Sequence, residues 1–287
     1  MNLLILGAGY SGSEIARVFS AAGFSVLGTT RSPEKAERLR AAGIHPFLFD
    51  GTQIRADLRD ALHSVTHLVQ SIAPDEAGDP FLRLAGDLPM PALEWIGYLS
   101  TVGVYGNHDG AWVDEETECR PVSARSRARV ATERDWRRHA AGRGLPVASL
   151  RLSGIYGPGR NAFVNLAAGT ARRIVKPGQV FNRIRVEDIG AAAFFLAERG
   201  GDGFYNVTDS LPAPAPDVVT EAARIMGVEP PPETPFDPSS MTPMARSFYS
   251  ENKRVSNARI NREGFSFRFP DYHCALTDLW ESDRWRG

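Results

Sequence analysis

The chain is poor in cysteine. Its 287 residues include two, Cys119 and Cys274, too few for a disulfide framework and spaced like no zinc motif, so inert thiols are expected. Charge of one sign is also lacking, since 33 Lys and Arg stand against 34 Asp and Glu for a net charge of −1. Without a global field, nucleic acid and anionic membrane are poor partners. No apolar run approaches the ~20 residues that a membrane span needs. Met1 leads straight into structural sequence and leaves no room for a signal peptide, so a cytoplasmic location is expected. No internal repeat and no linker-like composition appear. At 43% hydrophobic and 23% charged residues, what remains is ordinary globular material, long enough for roughly two units of about 150 residues.

What is there is alternation. Leu3-Leu4-Ile5-Leu6 has the length and flanks of a buried strand. Residues 7–12 form a turn, and a helix over 14–22 puts Ile15, Val18, Phe19 and Ala22 on one face, with Gly23 at its end. A second strand covers 24–29. Ser32 is the expected cap of the next helix, with Pro33 at its first position and Gly43 closing it. Further strands are predicted at 47–49, 67–71, 96–100, 147–152 and 204–207, and helices at 126–141, 186–198 and 218–226. This rhythm argues an α/β fold with a parallel, doubly wound sheet. It loosens after Ser153. Residues 155–159 read as loop chemistry, and nine prolines between 212 and 243 are expected to wrap a surface rather than form a sheet of their own.

Gly7-Ala8-Gly9-Tyr10-Ser11-Gly12 is a G-x-G-x-x-G placed between a predicted strand and a predicted helix. Glycines there allow a tight turn and let the backbone approach a pyrophosphate, whose charge meets the helix N-terminus. A carboxylate at the end of the second strand would select the ribose hydroxyls of NAD. This chain reads Thr29-Thr30-Arg31-Ser32 instead. A guanidinium beside hydroxyls and a helix N-terminus suits a 2′-phosphate, so NADP(H) is expected and NAD less so.

Three further stretches complete a pattern: Tyr98 to Gly106 (YLSTVGVYG), Arg151 to Gly159 (RLSGIYGPG) and Arg185 to Ile189 (RVEDI), followed by Tyr205-Asn206-Val207. In this order across residues 3–207 they resemble the extended branch of the short-chain dehydrogenase/reductases, which holds nucleotide-sugar epimerases and dehydratases. The resemblance implies a Rossmann-type domain, residues 1–155 plus 184–207, and a smaller substrate-capping lobe, 156–183 plus 208–287. It implies cofactor contacts at Gly7, Gly9, Tyr10, Ser11, Gly12, Thr30, Arg31, Ser32, Asp50, Ser71 and Arg129. Tyr105, Tyr156, Asn182 and Arg183 fall in stretches expected near a small polar, sugar-like or anionic substrate. Members of the branch often form homodimers through the helices after the fourth and fifth strands.

The branch works with a Ser or Thr and a Tyr-x-x-x-Lys pair. Thr101 matches the first, and Pro121, Ser123 and Glu133 match the flanks of the second. Arg125 and Arg129 stand where tyrosine and lysine should be. Guanidinium stays protonated throughout the working pH range, so Arg125 cannot exchange a proton. Arg129, one turn on, retains the ability to bind ribose hydroxyls or phosphate. Arg125 and Arg183 are candidate clamps for an anionic substrate, while Arg127, Arg134, Arg137 and Arg138 read as a solvated face balanced by Asp114, Glu115, Glu116 and Glu118. Tyr105, His108 and Tyr156 are candidate acids. His63, His67 and His139 read as surface or strand-edge residues, and no metal set gathers them. Two functions follow: an NADP-dependent oxidoreductase of epimerase, dehydratase or reductase type, or an inactive NADP(H)-binding sensor or scaffold.

Overall fold

Strand β1 (Asn2–Leu6) is apolar from Leu3 onward because both of its faces are covered. The structure, a computed structural model, describes residues 1–287 with the side chain of Met244 excepted. From β1 the chain runs through α1 (Tyr10–Ala21), β2 (Ser25–Thr30), α2 (Pro33–Ala41), β3 (His45–Leu48), α3 (Ala56–Ala61), β4 (His67–Gln70), α4 (Pro80–Ala85) and β5 (Trp95–Thr101). A 3-10 turn at Val102–Tyr105 precedes β6 (Trp112–Val113), α5 (Ala124–Ala141), β7 (Val147–Leu152), β8 (Gly154–Tyr156), α6 (Ala162–Ala167), β9 (Arg173–Val175) and β10 (Arg183–Arg185). Last come α7 (Val186–Glu198), β11 (Gly203–Val207), α8 (Ala215–Met226), β12 (Glu233–Pro235), α9 (Pro243–Tyr249), β13 (Arg254–Val255), α10 (Ala258–Arg262) and α11 (Tyr272–Glu281).

Seven strands form one sheet in the order β11-β7-β5-β4-β1-β2-β3. Strand β1 pairs in parallel with β2 (Leu4↔Leu27) and with β4 (Leu4↔Leu68), and the pairs β2–β3 and β4–β5 are parallel too. The order reverses beside β1, which is the topological switch point of a doubly wound Rossmann-type sheet. Ligands of such sheets bind outside the carboxyl ends of the strands there. One sheet face packs Leu4, Leu6, Leu68 and Ile96 against Phe81 and Trp136. Phe19 on the other lies 5.0 Å from Phe24 and 5.1 Å from Phe194, ring to ring. Each such side chain contributes about 1.5–3 kcal/mol by leaving water. His67, expected at the surface or a strand edge, is the first residue of β4 and belongs to this second cluster, buried at 5.0 Å from Phe24. Burial holds its imidazole below the ordinary pKa.

The chain divides into two compact units of similar size: residues 1–101, 124–151 and 189–205, and residues 102–123, 152–188 and 206–287. These bounds differ from the expected ones chiefly at 102–123, which joins the second unit, and in that unit's size. Long-range pairings explain the shift. Strand β6 pairs with β13, the Tyr105 hydroxyl donates to Asn206 Oδ1 at 2.7 Å, and Lys253 Nζ donates to the Gly106 carbonyl at 2.8 Å. The second unit also contains strands where loops were expected. Strand β8 pairs with β10 (Gly154↔Arg183, Tyr156↔Arg185), and β12 pairs with β9 within the proline-rich stretch. Pro235 is tolerated because it ends an edge strand, where no ladder N–H is needed. The core of this unit gathers Phe163, Tyr272, Leu276, Leu279 and Trp285. No described helix is long and apolar enough to cross a membrane.

Candidate cofactor and substrate sites

The glycine turn of the first unit has three distinct roles. Gly7 has φ +84°, and a Cβ there would lie 2.9 Å from Ile72 Cγ1. Gly12 approaches the turn so closely that a Cβ would meet the Gly7 carbonyl at 3.0 Å and Ile5 at 3.1 Å. Gly9 differs: a Cβ there meets nothing within 4 Å. So two glycines are required by the fold, whereas the second leaves open space at the N-cap of α1, where no side chain caps the helix. Thr29, which sequence reasoning passed over, shapes the turn. Its hydroxyl accepts from Gly7 N at 2.8 Å and its carbonyl from Ala8 N at 3.0 Å. Tyr10 is exposed and Ser11 buried in the first turn of α1.

At the end of β2 the hydroxyls have local duties. Thr30 Oγ1 accepts from Ser32 N at 3.4 Å, and Ser32 Oγ accepts from Lys35 N at 3.2 Å, capping α2 as its sequence predicts. Arg31 is exposed and makes no hydrogen bond or ion pair among the described residues. Asp50, exposed after β3, accepts from the Thr52 amide at 2.9 Å and hydroxyl at 2.6 Å, which lowers its pKa. Ser71 follows β4 at the switch point, where its N–H donates to the Leu6 carbonyl at 2.9 Å.

Helix α5 carries the residues that replace the reactive pair. Arg125 is exposed, without a hydrogen bond among the described residues. Arg129 turns toward β5, where Nη1 donates to the Leu99 carbonyl at 2.6 Å and to the Tyr98 hydroxyl at 3.3 Å. Burial pushes the Tyr98 phenol up to about 12 despite that cation. Thr101 ends β5, half-buried. Glu133, two turns beyond Arg125, is buried. It accepts from Ser100 Oγ at 2.6 Å and from Arg151 Nε and Nη2 at 3.1 and 3.0 Å. The Arg151 guanidinium also lies 4.2 Å from the centre of the Phe204 ring.

In the second unit the expected substrate residues part company. Tyr105 is wholly buried, and its hydroxyl donates to Asn206 Oδ1, so it packs inside the second unit. His108 is tied to the Tyr105 carbonyl at 3.1 Å. Asn182 is engaged at both ends: Nδ2 donates to the Lys253 carbonyl and Oδ1 accepts from Val255 N, so it pins β13 rather than facing a ligand. The loop at 157–159 is likewise pinned, since Gly159 N and Asn161 Nδ2 both donate to the Trp285 carbonyl. Tyr156 and Arg183 remain. The Tyr156 hydroxyl is buried without a protein partner, and burial, then Asp209, hold its pKa well above the ordinary value. Half-buried Arg183 places Nη1 between the carbonyls of Phe181 and Ala213, both at 3.0 Å, and has no ion pair among the described residues. Phe181 also lines a cavity of about 480 Å³, together with Lys176, Gln179, Asp217 and Tyr249 among others. Gln179 Oε1 is buried there without a partner.

Comparison with known proteins fits this geometry. Residues 93–207 match the model of the NAD dependent epimerase/dehydratase family. The chain is 30% identical to Protein YeeZ of Escherichia coli (strain K12) over 286 residues, 94% of this chain and 97% of that one. The chain belongs to the NAD-dependent epimerase/dehydratase family. A functionally unknown conserved protein from Silicibacter pomeroyi is 44% identical, with TM-score 0.87 over 98% of this chain and 99% of that one. The human epimerase family protein SDR39U1, solved with NADPH, shares the fold at 16% identity and TM-score 0.75, covering 98% and 99% of the two chains.

Members of the epimerase/dehydratase family bind a nicotinamide dinucleotide, and the first unit fits one. The open space at Gly9 and the uncapped N-terminus of α1 are what a pyrophosphate requires. No cluster of three His, Cys, Asp or Glu among the described residues is placed to hold a metal ion. Sequence reasoning missed Asp209. Its carboxyl has zero exposure, and Oδ2 has no protein partner. The sole local hint was its place two residues beyond the Tyr-Asn-Val stretch.

Proposed function

We propose that this protein binds NADP(H) in preference to NAD(H) and acts as an oxidoreductase of the epimerase, dehydratase or reductase kind on a small polar, sugar-like or anionic substrate. Arg31 carries the coenzyme half. It is an exposed guanidinium, free of partners among the described residues, beside the N-terminus of α2. A 2′-phosphate takes such a fork in two parallel bonds. Arg183 carries the substrate half, because a half-buried cation without an ion pair fits an anionic group, and Phe181, whose carbonyl it holds, lines a cavity for the rest of the molecule. When bound, the nicotinamide supplies or accepts a hydride. Arg129 holds the backbone at Leu99, and Arg125 can bind an anion, but neither guanidinium exchanges a proton at neutral pH.

That last point favours a second reading, an inactive NADP(H)-binding sensor. Dissociation constants for NADPH and NADH test what both readings share. Arg31→Ala should weaken NADPH by about 10- to 100-fold, the loss of a charged hydrogen bond of about 1.5–3 kcal/mol, and leave NADH nearly unchanged. Equal affinity for the two coenzymes in the natural chain defeats the preference. NADPH fluorescence against panels of carbonyl compounds and sugar nucleotides separates the two readings. Turnover lost in Arg183→Ala supports the enzyme; turnover only after Arg125→Tyr with Arg129→Lys supports the sensor.

A further inference from the structure

Among the described residues, the second unit leaves three buried oxygens without a protein partner on segments that hydrogen-bond to one another: Ser153 Oγ, Tyr156 Oη and Asp209 Oδ2. Native proteins rarely leave buried polar atoms unpaired, and each such atom calls for a physical explanation. Asp209 is the most demanding of the three. Its backbone N–H donates to the Arg183 carbonyl at 2.7 Å, and Thr208 Oγ1 donates to the same carbonyl at 3.2 Å, so the two residues are fixed side by side. Its side chain has zero exposure, yet Oδ1 accepts a single long bond, from Leu211 N at 3.3 Å. No ion pair within 4.0 Å joins this carboxyl to Arg183.

A buried carboxylate with one weak donor is costly, and a neutral carboxyl is the form that such surroundings favour. Burial pushes Asp209 up to about 8 even against the pull of Arg183. The other charges facing the pair are mostly matched elsewhere. Arg185 is bonded to Glu187 and Asp278; Asp188 accepts from the amides of Arg268 and Phe269; Asp271 caps α11 through Cys274 N. Asp217 in the first turn of α8, with the phenols of Tyr156, Tyr249 and Tyr272, completes the surroundings of Arg183. While Asp209 stays neutral, the Arg183 guanidinium has no carboxylate within ion-pair distance, Asp217 acting on it only from further away, and its Nε and Nη2 make no hydrogen bond among the described residues.

We propose that the Arg183 site takes up an anion together with a proton held on Asp209. The proposal rests on the reading of Arg183 as the substrate's anion contact and adds the condition under which that contact works. With Asp209 protonated, Arg183 offers a full positive charge to a carboxylate, sulfate or phosphoryl group. With Asp209 ionised, its negative charge sits beside the guanidinium and opposes the incoming anion. By reciprocity, the bound anion holds the proton on Asp209 more tightly.

Sulfate is the probe, because its charge is fixed across the pH range that matters. It is titrated into the full chain, and the Cζ carbon resonance of Arg183, identified by its loss in Arg183→Gln, reports occupancy of this site alone. Above the midpoint of Asp209, one-proton linkage weakens sulfate about tenfold per pH unit. In the isosteric Asp209→Asn variant the affinity is independent of pH. In parallel, the Asp209 carboxyl carbon is titrated with and without sulfate; its midpoint lies near neutral or above and rises when sulfate is present. A flat sulfate profile in the natural chain, an equal slope in Asp209→Asn, or an Asp209 midpoint in the ordinary carboxylate range overturns the proton coupling. Failure of sulfate to move Arg183 at any pH defeats the anion contact itself. Neither readout involves NADPH, so the coenzyme assignment stands or falls separately.

Discussion

Alanine placed in turn at the three glycines of the first loop distinguishes a coenzyme loop from an ordinary turn. Gly9→Ala is the decisive change. Its φ of −94° suits any L residue, and the new methyl meets no protein atom within 4 Å. Alanine is a poorer N-cap than glycine, so folding stability falls by about 1 kcal/mol or less. The same methyl occupies the space through which a pyrophosphate reaches the α1 backbone, and NADPH affinity should drop at least tenfold, a loss of about 1.4 kcal/mol or more. Gly7→Ala has the opposite signature. A left-handed φ of +84° and a 2.9 Å approach to Ile72 together cost about 2–3 kcal/mol, whether or not coenzyme is present. Gly12→Ala gains helix propensity but meets the Gly7 carbonyl at 3.0 Å and Ile5 at 3.1 Å, so it is destabilising as well. Urea midpoints report the first quantity and NADPH fluorescence titration the second. If Gly9→Ala binds NADPH as tightly as the natural chain, no pyrophosphate lies against this loop and the coenzyme assignment fails.

Other perturbations test the packing and the titrating groups. Glu133→Leu or Arg151→Met alone leaves a buried charge unpaired and should cost about 3–5 kcal/mol, while the double variant should cost clearly less than the two together; additive urea-unfolding energies would refute the pairing. Glu221, bonded to Arg224 and then to His273, has a pKa drawn down to about 2. Its stabilisation is complete above the unfolded value and is lost as pH falls through the folded one. Glu221→Gln should therefore flatten the acid limb by about 0.5–1 kcal/mol, discounted for the exposed arginine, and urea midpoints between about pH 5 and 2 read this out. Asp209 has the reverse sign: held neutral up to about 8, the folded state keeps a proton that the unfolded chain releases near 4. Stability thus declines across that window, and Asp209→Asn should remove the decline and be the more stable protein at its alkaline end.

Much of the first unit was legible because its determinants are local. The continuous apolar run at 3–6, the Ser32-Pro33 helix start and the helix at 186–198 each declare themselves within a few residues, and each appears in the structure. Short helices such as α4 escaped periodicity, although the Asp79-Pro80 pair that starts it was in plain view. The Asp79 side chain accepts from Phe81 N and Leu82 N and also holds Gln70 and Trp136. Pairings that span long separations left no local trace, so β8 fell in a stretch read as loop, β6, β10 and β13 were not predicted, and 102–123 was grouped with the first unit rather than the second. The candidate site divides along the same line. Glycine spacing is a sequence property, whereas the inward turn of Tyr105, the double engagement of Asn182 and the unpaired carboxyl of Asp209 depend on what the fold brings beside them.

Trp285 sits in the core of the second unit against Phe163, stacks on Trp280, and its carbonyl receives Gly159 N and Asn161 Nδ2. During synthesis, then, the segment at 157–161 emerges from the ribosome more than a hundred residues ahead of the group that fixes it. Until that tryptophan arrives, the loop amide groups at 157–161 lack the partner that fixes them, and Phe163 on the following helix lacks one of the rings that cover it.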